Sequence, residues 1–334
     1  MKFLTQEEKQ ILVFLTTAAI ASTVLSIYFG INIQQETEEV ISKKIHIIHT
    51  GGDIDSNFKE NYEAKQGKYD INSYQPLIKS ADISPKDWNI IANDVGSKYN
   101  YYDAFVIICG KDTLVYTASA LSFMLENLSK PVVLTDGDVT SALKLASKTK
   151  IPEVMIVSQG KLLRGCRAVY KSTEFFSSPN YPFLDNNNSL QIPKENISIK
   201  FVNPKINIVV LKVFPGMSES SLTNLIENDI PDGVVLEMYG VGNAPTSKNF
   251  IDSIKRLTKK GVIIVAVSQC DELLKLDVDI RLLEAGVLSG NDMTTPAAYA
   301  KLCFLLSNVE DKTLVRQLIE KTFRGEMSVN YPSV

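Results

Sequence analysis

The sequence predicts an α/β fold built on open, largely parallel sheets, and three observations predict it. Residues 45–54, IHIIHTGGDI, place three isoleucines in four positions and then stop at Gly51-Gly52. That pattern is a buried strand ending in a tight turn. Residues 104–114, AFVIICGKDTL, repeat the grammar with an apolar run, a glycine, and polar residues opening a helix. From Ile206 the rhythm restarts, with strands expected at 206–213, 233–238 and 261–267 and helices between them. Glycine at a strand end lets a ligand or a second backbone come close, because no Cβ intervenes. In open α/β sheets ligands bind beyond the carboxyl ends of the strands. The two glycine turns are therefore expected to face one another across a pocket.

Taken in order, the chain starts with an apolar segment. Residues 11–31 contain no charged side chain, and about 20 such residues cross a bilayer as a helix. A retained signal anchor over residues 1–32 is expected, giving a single-pass membrane protein. A cleaved signal peptide and a buried core helix are the alternatives. Ala19-Ile20-Ala21 imitates a cleavage site, but the uncharged run continues past it to Ile31, which is wrong for a cleaved leader. Lys9, the nearer flanking lysine, favours an N-terminus in the cytoplasm. Residues 33–44 form a polar, acidic stalk.

Residues 55–72, rich in Asn, Lys, Glu and Tyr, suit a loop over the crevice. Ser84, followed by Pro85, is a strong helix start. A helix is expected from the second glycine turn to Leu128, then a strand at 131–134, a helix around 141–147 and a hairpin over 151–167. Pro, Asn and Asp cluster in residues 181–198, which read as a linker.

Composition narrows the function. The 334 residues carry 35 Lys+Arg against 38 Asp+Glu, a net charge of −3, which gives no reason to expect nucleic-acid binding. With 45% hydrophobic residues the chain can bury a sizeable core, and its length suits two domains. Cys109, Cys166, Cys270 and Cys303 are far apart and form no CxxC, so free buried thiols are expected rather than a disulfide framework. His46 and His49 are the only histidines. No metal site and no cofactor are expected.

Thr50-Gly51-Gly52-Asp53 and Cys109-Gly110-Lys111-Asp112-Thr113 resemble the two signature segments of the L-asparaginase family, TGGT and HGTDT, and the wording is closest to the type I, cytosolic-like branch. Segments 239–245, 268–270 and 284–294 resemble that family's smaller domain. The resemblance implies a larger N-terminal doubly wound sheet domain over residues 45–185, a linker over 186–204 and a smaller C-terminal α/β domain over 205–334. It implies a homodimer or homotetramer, and L-asparagine or a similar small amino acid as ligand. It assigns Tyr62 to a loop that closes on the substrate, Ser80 to the α-carboxylate and Asp112 to the α-ammonium. Ala81 falls where a second polar substrate contact is usual. Counting from Gly165, the family's lysine position falls on Tyr170, and Lys171 is one residue late. Two segments are shorter than the family's, after Thr135 and between Cys270 and Leu282.

The implied chemistry is acyl transfer. A hydroxyl attacks the side-chain amide, ammonia leaves, and water frees the acid. Here Asp53 and Lys111 stand where the family carries its two nucleophilic threonines. An aspartate at the first position would repel the acidic product, and a Lys111-Asp112 neighbour pair can neutralise itself. The bland expectation for Asp53 and Lys111 is a solvated ion pair across an idle crevice. Asp53 as a carboxylate nucleophile, or Thr50, Thr113 or Ser56 as stand-in hydroxyls, are the remaining routes to turnover. Two readings follow. One is a membrane-anchored asparaginase-like amidohydrolase with an altered, slow site. The other is a non-catalytic relative that binds an amino acid or a protein partner.

Overall fold

The computed structural model describes residues 43–52, 69–172, 175–181, 183–217, 229–270, 272 and 276–328. Lys44–Val334 forms one compact unit. Its larger sheet comprises β1 (Ile45–His49), β2 (Tyr69–Ser73), β3 (Ala104–Ile108), β4 (Val132–Thr135), β5 (Val154–Ser158) and β6 (Lys161–Arg164). The spatial order is β2-β1-β3-β4-β5-β6, with every pair parallel except the final β5–β6 hairpin.

The central strands are apolar on both faces because both faces are covered. Ile48, Phe105 and Ile107 enter one core, and Ile47, Val106 and Ile108 enter the other. Helices α1 (Pro85–Lys98) and α2 (Leu114–Met124) cover the first face, and α3 (Val139–Lys148) covers the second. The sheet is thus doubly wound. Strand order reverses between β1 and β3, the topological switch point at which such sheets bind ligands.

A second sheet is parallel throughout, in chain order: β7 (Ile208–Lys212), β8 (Gly233–Met238), β9 (Ile263–Ser268) and β10 (Leu288–Ser289). It carries α4 (Lys248–Lys259), α5 (Ile280–Glu284), α6 (Thr295–Asn308) and α7 (Lys312–Ile319). Helix α6 joins the two sheets. Its Leu302 and Phe304 share one apolar core with Leu121 and Phe123 of α2, and the Phe123 and Phe304 rings stack at 6.0 Å.

Buried ion pairs complete that junction. Arg167 Nη1 lies 2.7 Å from Asp292 Oδ2, and both side chains are only 2% exposed. Asp292 also accepts the Ser328 amide and hydroxyl, at 2.8 and 2.7 Å. Arg167 Nε donates to the Gly325 carbonyl at 2.7 Å. Lys301 and Glu326 form a second, fully buried pair at 2.7 Å. The C-terminal segment around residues 322–328 is therefore strapped onto the Gly165–Arg167 turn of the first sheet.

The local readings hold where local chemistry decides. Ser84 caps α1: its amide and hydroxyl both donate to Asp87 Oδ2, at 2.8 and 2.6 Å, with Pro85 just inside. The helix expected to reach Leu128 ends at Met124, because Leu125 and Glu126 pair antiparallel with Ser198 and Ile199, and Asn127 has φ 59°. No helix among the described residues is long and apolar enough to cross a membrane. The apolar run at 11–31 and the stalk at 33–42 lie outside the described residues.

Replacing Arg167 by alanine should cost roughly 3–5 kcal/mol, because it leaves the Asp292 carboxylate buried without its cation. Urea denaturation of wild type and variant measures this directly. A loss below about 1 kcal/mol would show that the pair does not hold the two sheets together.

Candidate functional site

The site begins with three backbone segments in contact. The Thr50 amide and its Oγ1 both donate to the Ile108 carbonyl, at 2.9 and 3.1 Å, and Thr50 is buried. This fastens the end of β1 to the end of β3. The Ile78 amide donates to the Thr50 carbonyl at 2.6 Å. A Cβ on Gly51 would lie 2.1 Å from the Ile78 carbonyl oxygen, so no other residue fits without moving backbone. Gly52 adopts φ +91°, and Gly110 comes so close to Ser80 that a Cβ there would sit 2.4 Å from the Ser80 Cβ. The two glycine turns do meet, a Cβ on Gly52 falling 3.0 Å from the Cys109 carbonyl oxygen, but they abut directly rather than across the pocket, whose described lining includes neither turn.

The hydroxyls at this end hold the frame together. Thr113 Oγ1 donates to the Ser80 carbonyl at 2.9 Å. The Ser80 Oγ–Thr113 Oγ1 contact of 3.1 Å must then use the Ser80 hydrogen, while Ser80 Oγ accepts the Thr113 amide at 3.2 Å. Ser80 thus gives its one hydroxyl hydrogen to Thr113 rather than offering it to a carboxylate. Ala81 lies exposed in the same short turn and brings no polar group. Cys109 is fully buried, and burial, then the Asp136 charge, pushes its thiol up to about 12, so it is no thiolate at neutral pH.

Lys111 departs from expectation. Its Nζ lies 3.5 Å from Asp136 Oδ2, with both side chains partly exposed. Asp136 follows directly on β4 because the chain is short after Thr135. The pair therefore joins the ends of β3 and β4, so that Lys111 pairs with Asp136 rather than with its neighbour Asp112, while the expected Asp53–Lys111 pair falls outside the described residues. Among the described residues, no cation pairs with Asp112. Asp53 and Tyr62 lie outside the described residues.

Lys171 is exposed, whereas Tyr170 lines the pocket. Val169-Tyr170 pairs antiparallel with Phe176-Ser177, and the Tyr170 ring meets Phe176 at 5.0 Å. Successive residues of an extended segment point to opposite sides. The register that turns Tyr170 inward is the one that leaves Lys171 outside.

The pocket itself has a volume of about 230 Å³. Asp112, Tyr116 and Tyr170 from the larger sheet's side meet Asn291, Thr294 and Thr295 from the smaller one. Burial, then Glu237, raises the Tyr116 phenol; burial, then Asp112 and Asp136, raises that of Tyr170. Both phenols stay protonated at neutral pH and can donate hydrogen bonds. Glu237 Oε1 accepts the Thr295 hydroxyl at 2.7 Å. Sequence reasoning named Asp112 and marked position 170, but it missed Tyr116 and Thr294 and gave the 284–294 segment no site role. Their signal is tertiary: Tyr116 lies on α2 and Thr294 caps α6, and only the packing of the two helices puts both on one pocket. Among the described residues, no cluster of His, Cys, Asp and Glu could hold a metal ion.

Comparison with known proteins agrees with this architecture. The family model for the asparaginase N-terminal domain matches residues 11–198. That for the glutaminase/asparaginase C-terminal domain matches residues 207–319. The chain is 31% identical to L-asparaginase 1 of Escherichia coli, over 86% of this chain and 98% of that protein. The crystal structure of L-asparaginase I from Vibrio cholerae superposes with a TM-score of 0.78 at 33% identity, covering 86% of this chain and 99% of that one. The thermostable L-asparaginase of Thermococcus kodakarensis gives 0.73 at 26% identity, over 86% of this chain and all of that one.

Gly51→Ala should cost about 1–3 kcal/mol or more, the scale of a steric insertion that backbone must absorb. Chemical denaturation would measure it, with Gly160→Ala as the contrast. Gly160 has nothing within 4 Å of its would-be Cβ, so only its φ of +71° opposes alanine there. Equal losses at the two positions would show that the close approach of the strand ends is not tight.

Proposed function

The chain belongs to the asparaginase family, and on that premise we propose that it is a membrane-anchored relative that binds a small amino-acid amide such as L-asparagine and hydrolyses it very slowly or not at all. One observation carries this reading. The switch-point frame that a ligand needs is intact, while Lys111, at a nucleophile position, is tied to Asp136 at 3.5 Å. The described hydroxyls beside it, those of Thr50, Ser80 and Thr113, are hydrogen-bonded within the frame.

Hydrolysis by the family's route would need a hydroxyl beside a proton acceptor. Lys111 offers an ammonium in an ion pair, and Tyr170, at the family's lysine position, offers a protonated phenol. What survives is recognition, with Asp112 facing a pocket that can hold an amide-bearing ligand. A homodimer or homotetramer is proposed for the assembly, from the family resemblance.

Anchoring rests on the uncharged run at residues 11–31.

Ammonia release from asparagine and glutamine by the purified full-length protein tests the chemistry. Turnover should fall roughly 10⁴-fold or more below that of an ordinary enzyme, the usual consequence of losing a nucleophile. The Asp53→Thr, Lys111→Thr double variant should raise it. A wild-type turnover of about 10 per second, an ordinary enzyme's rate, would overturn the reading. Washing membranes with high salt and then carbonate tests the anchor: the protein should stay in the membrane fraction. A soluble form beginning near Ser22 would establish a cleaved leader instead.

A further inference from the structure

A second cavity lies away from the candidate site. It has a volume of about 210 Å³ and shares no described lining residue with the pocket beside Asp112. Pro152 and Glu153 line it just ahead of β5, so it sits at the amino end of that strand. Asp112, by contrast, follows the carboxyl end of β3.

Its walls are of two kinds. Leu125, Leu128, Pro193 and Phe323 give it an apolar body, and Glu153, Arg164 and Arg324 give it charge. Glu153 and Arg164 satisfy one another. Arg164 Nε and Nη2 donate to the two Glu153 oxygens at 2.5 and 2.9 Å, and the Leu190 amide adds a third bond at 2.6 Å. Arg164 Nη2 also donates to the Asn188 carbonyl at 3.0 Å. Both side chains are at most 4% exposed, so this pair is finished wall.

Arg324 differs. Its Nε donates to the Ser122 carbonyl, in the last turn of α2, at 2.9 Å, and Ser122 is itself a lining residue. The guanidinium is thereby fixed at the cavity wall. Nη1 makes a long bond to the adjacent Phe323 carbonyl, at 3.3 Å, and Nη2 stands 3.5 Å from Glu126 Oε1. The Arg324 and Glu126 side chains are 24% and 30% exposed. An ion pair of that length and exposure gains little, because water screens it. A carboxylate meeting the same guanidinium edge-on makes two short, charge-assisted bonds instead.

We propose that this cavity is a second ligand site, and that it takes a small carboxylate with an apolar body, such as an aryl or short alkyl acid. The ring or chain lies among Leu125, Leu128, Pro193 and Phe323, and the carboxylate takes the outer edge of Arg324. Two features of the wall set this class. Once Glu153 and Arg164 cancel, the described lining keeps the one positive charge of Arg324. Its apolar part gains by covering carbon and gives nothing to a ligand that is polar throughout. Glu126 is the built-in competitor, since it shares the guanidinium and repels a second carboxylate.

Phenylacetate, phenylacetamide and phenethylamine carry the same ring on an anionic, a neutral and a cationic head. In calorimetric titration of the full-length protein in detergent, phenylacetate should bind at least about tenfold tighter than phenylacetamide, roughly 1.4 kcal/mol, and phenethylamine should not bind. Arg324→Gln should remove the preference for the anion. Glu126→Gln, at a partly exposed position that tolerates the change, should tighten phenylacetate by about twofold or more, the scale of a surface ion pair. Phenylacetate binding no tighter than phenylacetamide, or not at all at millimolar concentration, would overturn the proposal. So would a preference that survives Arg324→Gln, or an affinity for phenylacetate that Glu126→Gln leaves unchanged.

Discussion

Thr50 is the hinge pin of this structure. Its amide and hydroxyl both reach the Ile108 carbonyl, so the ends of β1 and β3 cannot separate without exposing buried polar groups. Once they are fastened, the chain beyond each strand has little room. Only glycine fits at 51 and 110, because Ile78 and Ser80 come against them at less than a Cβ's distance. The strand-end framework is thus a consequence of one doubly used carbonyl and two missing side chains. The second sheet is held to it by the shared core around α2 and α6 and by the buried Arg167–Asp292 pair. A buried pair of this kind is weak evidence for net stability. Its effect here is positional, since Asp292 is itself part of the pocket wall.

The departures from the family's chemistry are coupled rather than scattered. A short connection after β4 brings Asp136 to the end of its strand, and Lys111 reaches it. The lysine therefore settles as part of a frame that bridges two strands. Tyr170 enters where a lysine is expected, and the register of its short strand pair turns Lys171 away from the pocket. Each change removes a reactive or charged group from the cavity and leaves the cavity's walls in place. The outcome is a site with a carboxylate, two phenols and, in its described lining, no lysine.

Much of this was legible in the sequence. The strand-glycine pattern located the two strand ends that frame the site, because a buried parallel strand needs a continuous apolar run and a close turn needs glycine. The α1 start was legible because Ser84, Pro85 and Asp87 act on one another within a few residues. The end of α2 was not, since Leu125 is taken from the helix by a partner 74 residues away, Ile199. Nor was the partner of Lys111: Asp112 is adjacent in sequence, but Asp136 is adjacent in space. Tyr170 and Lys171 differ by one position, and only strand register decides which points inward. The pocket's second wall depends on how α6 docks, which no local pattern encodes.

The most direct measurement is a crystal structure of the full-length protein soaked with L-asparagine. The expected result is an intact amide in the pocket, its ammonium within hydrogen-bonding distance of the Asp112 carboxylate and no covalent bond to any side chain. An acyl ester on a protein oxygen, or a ligand bound away from the ends of β1 and β3, would contradict it.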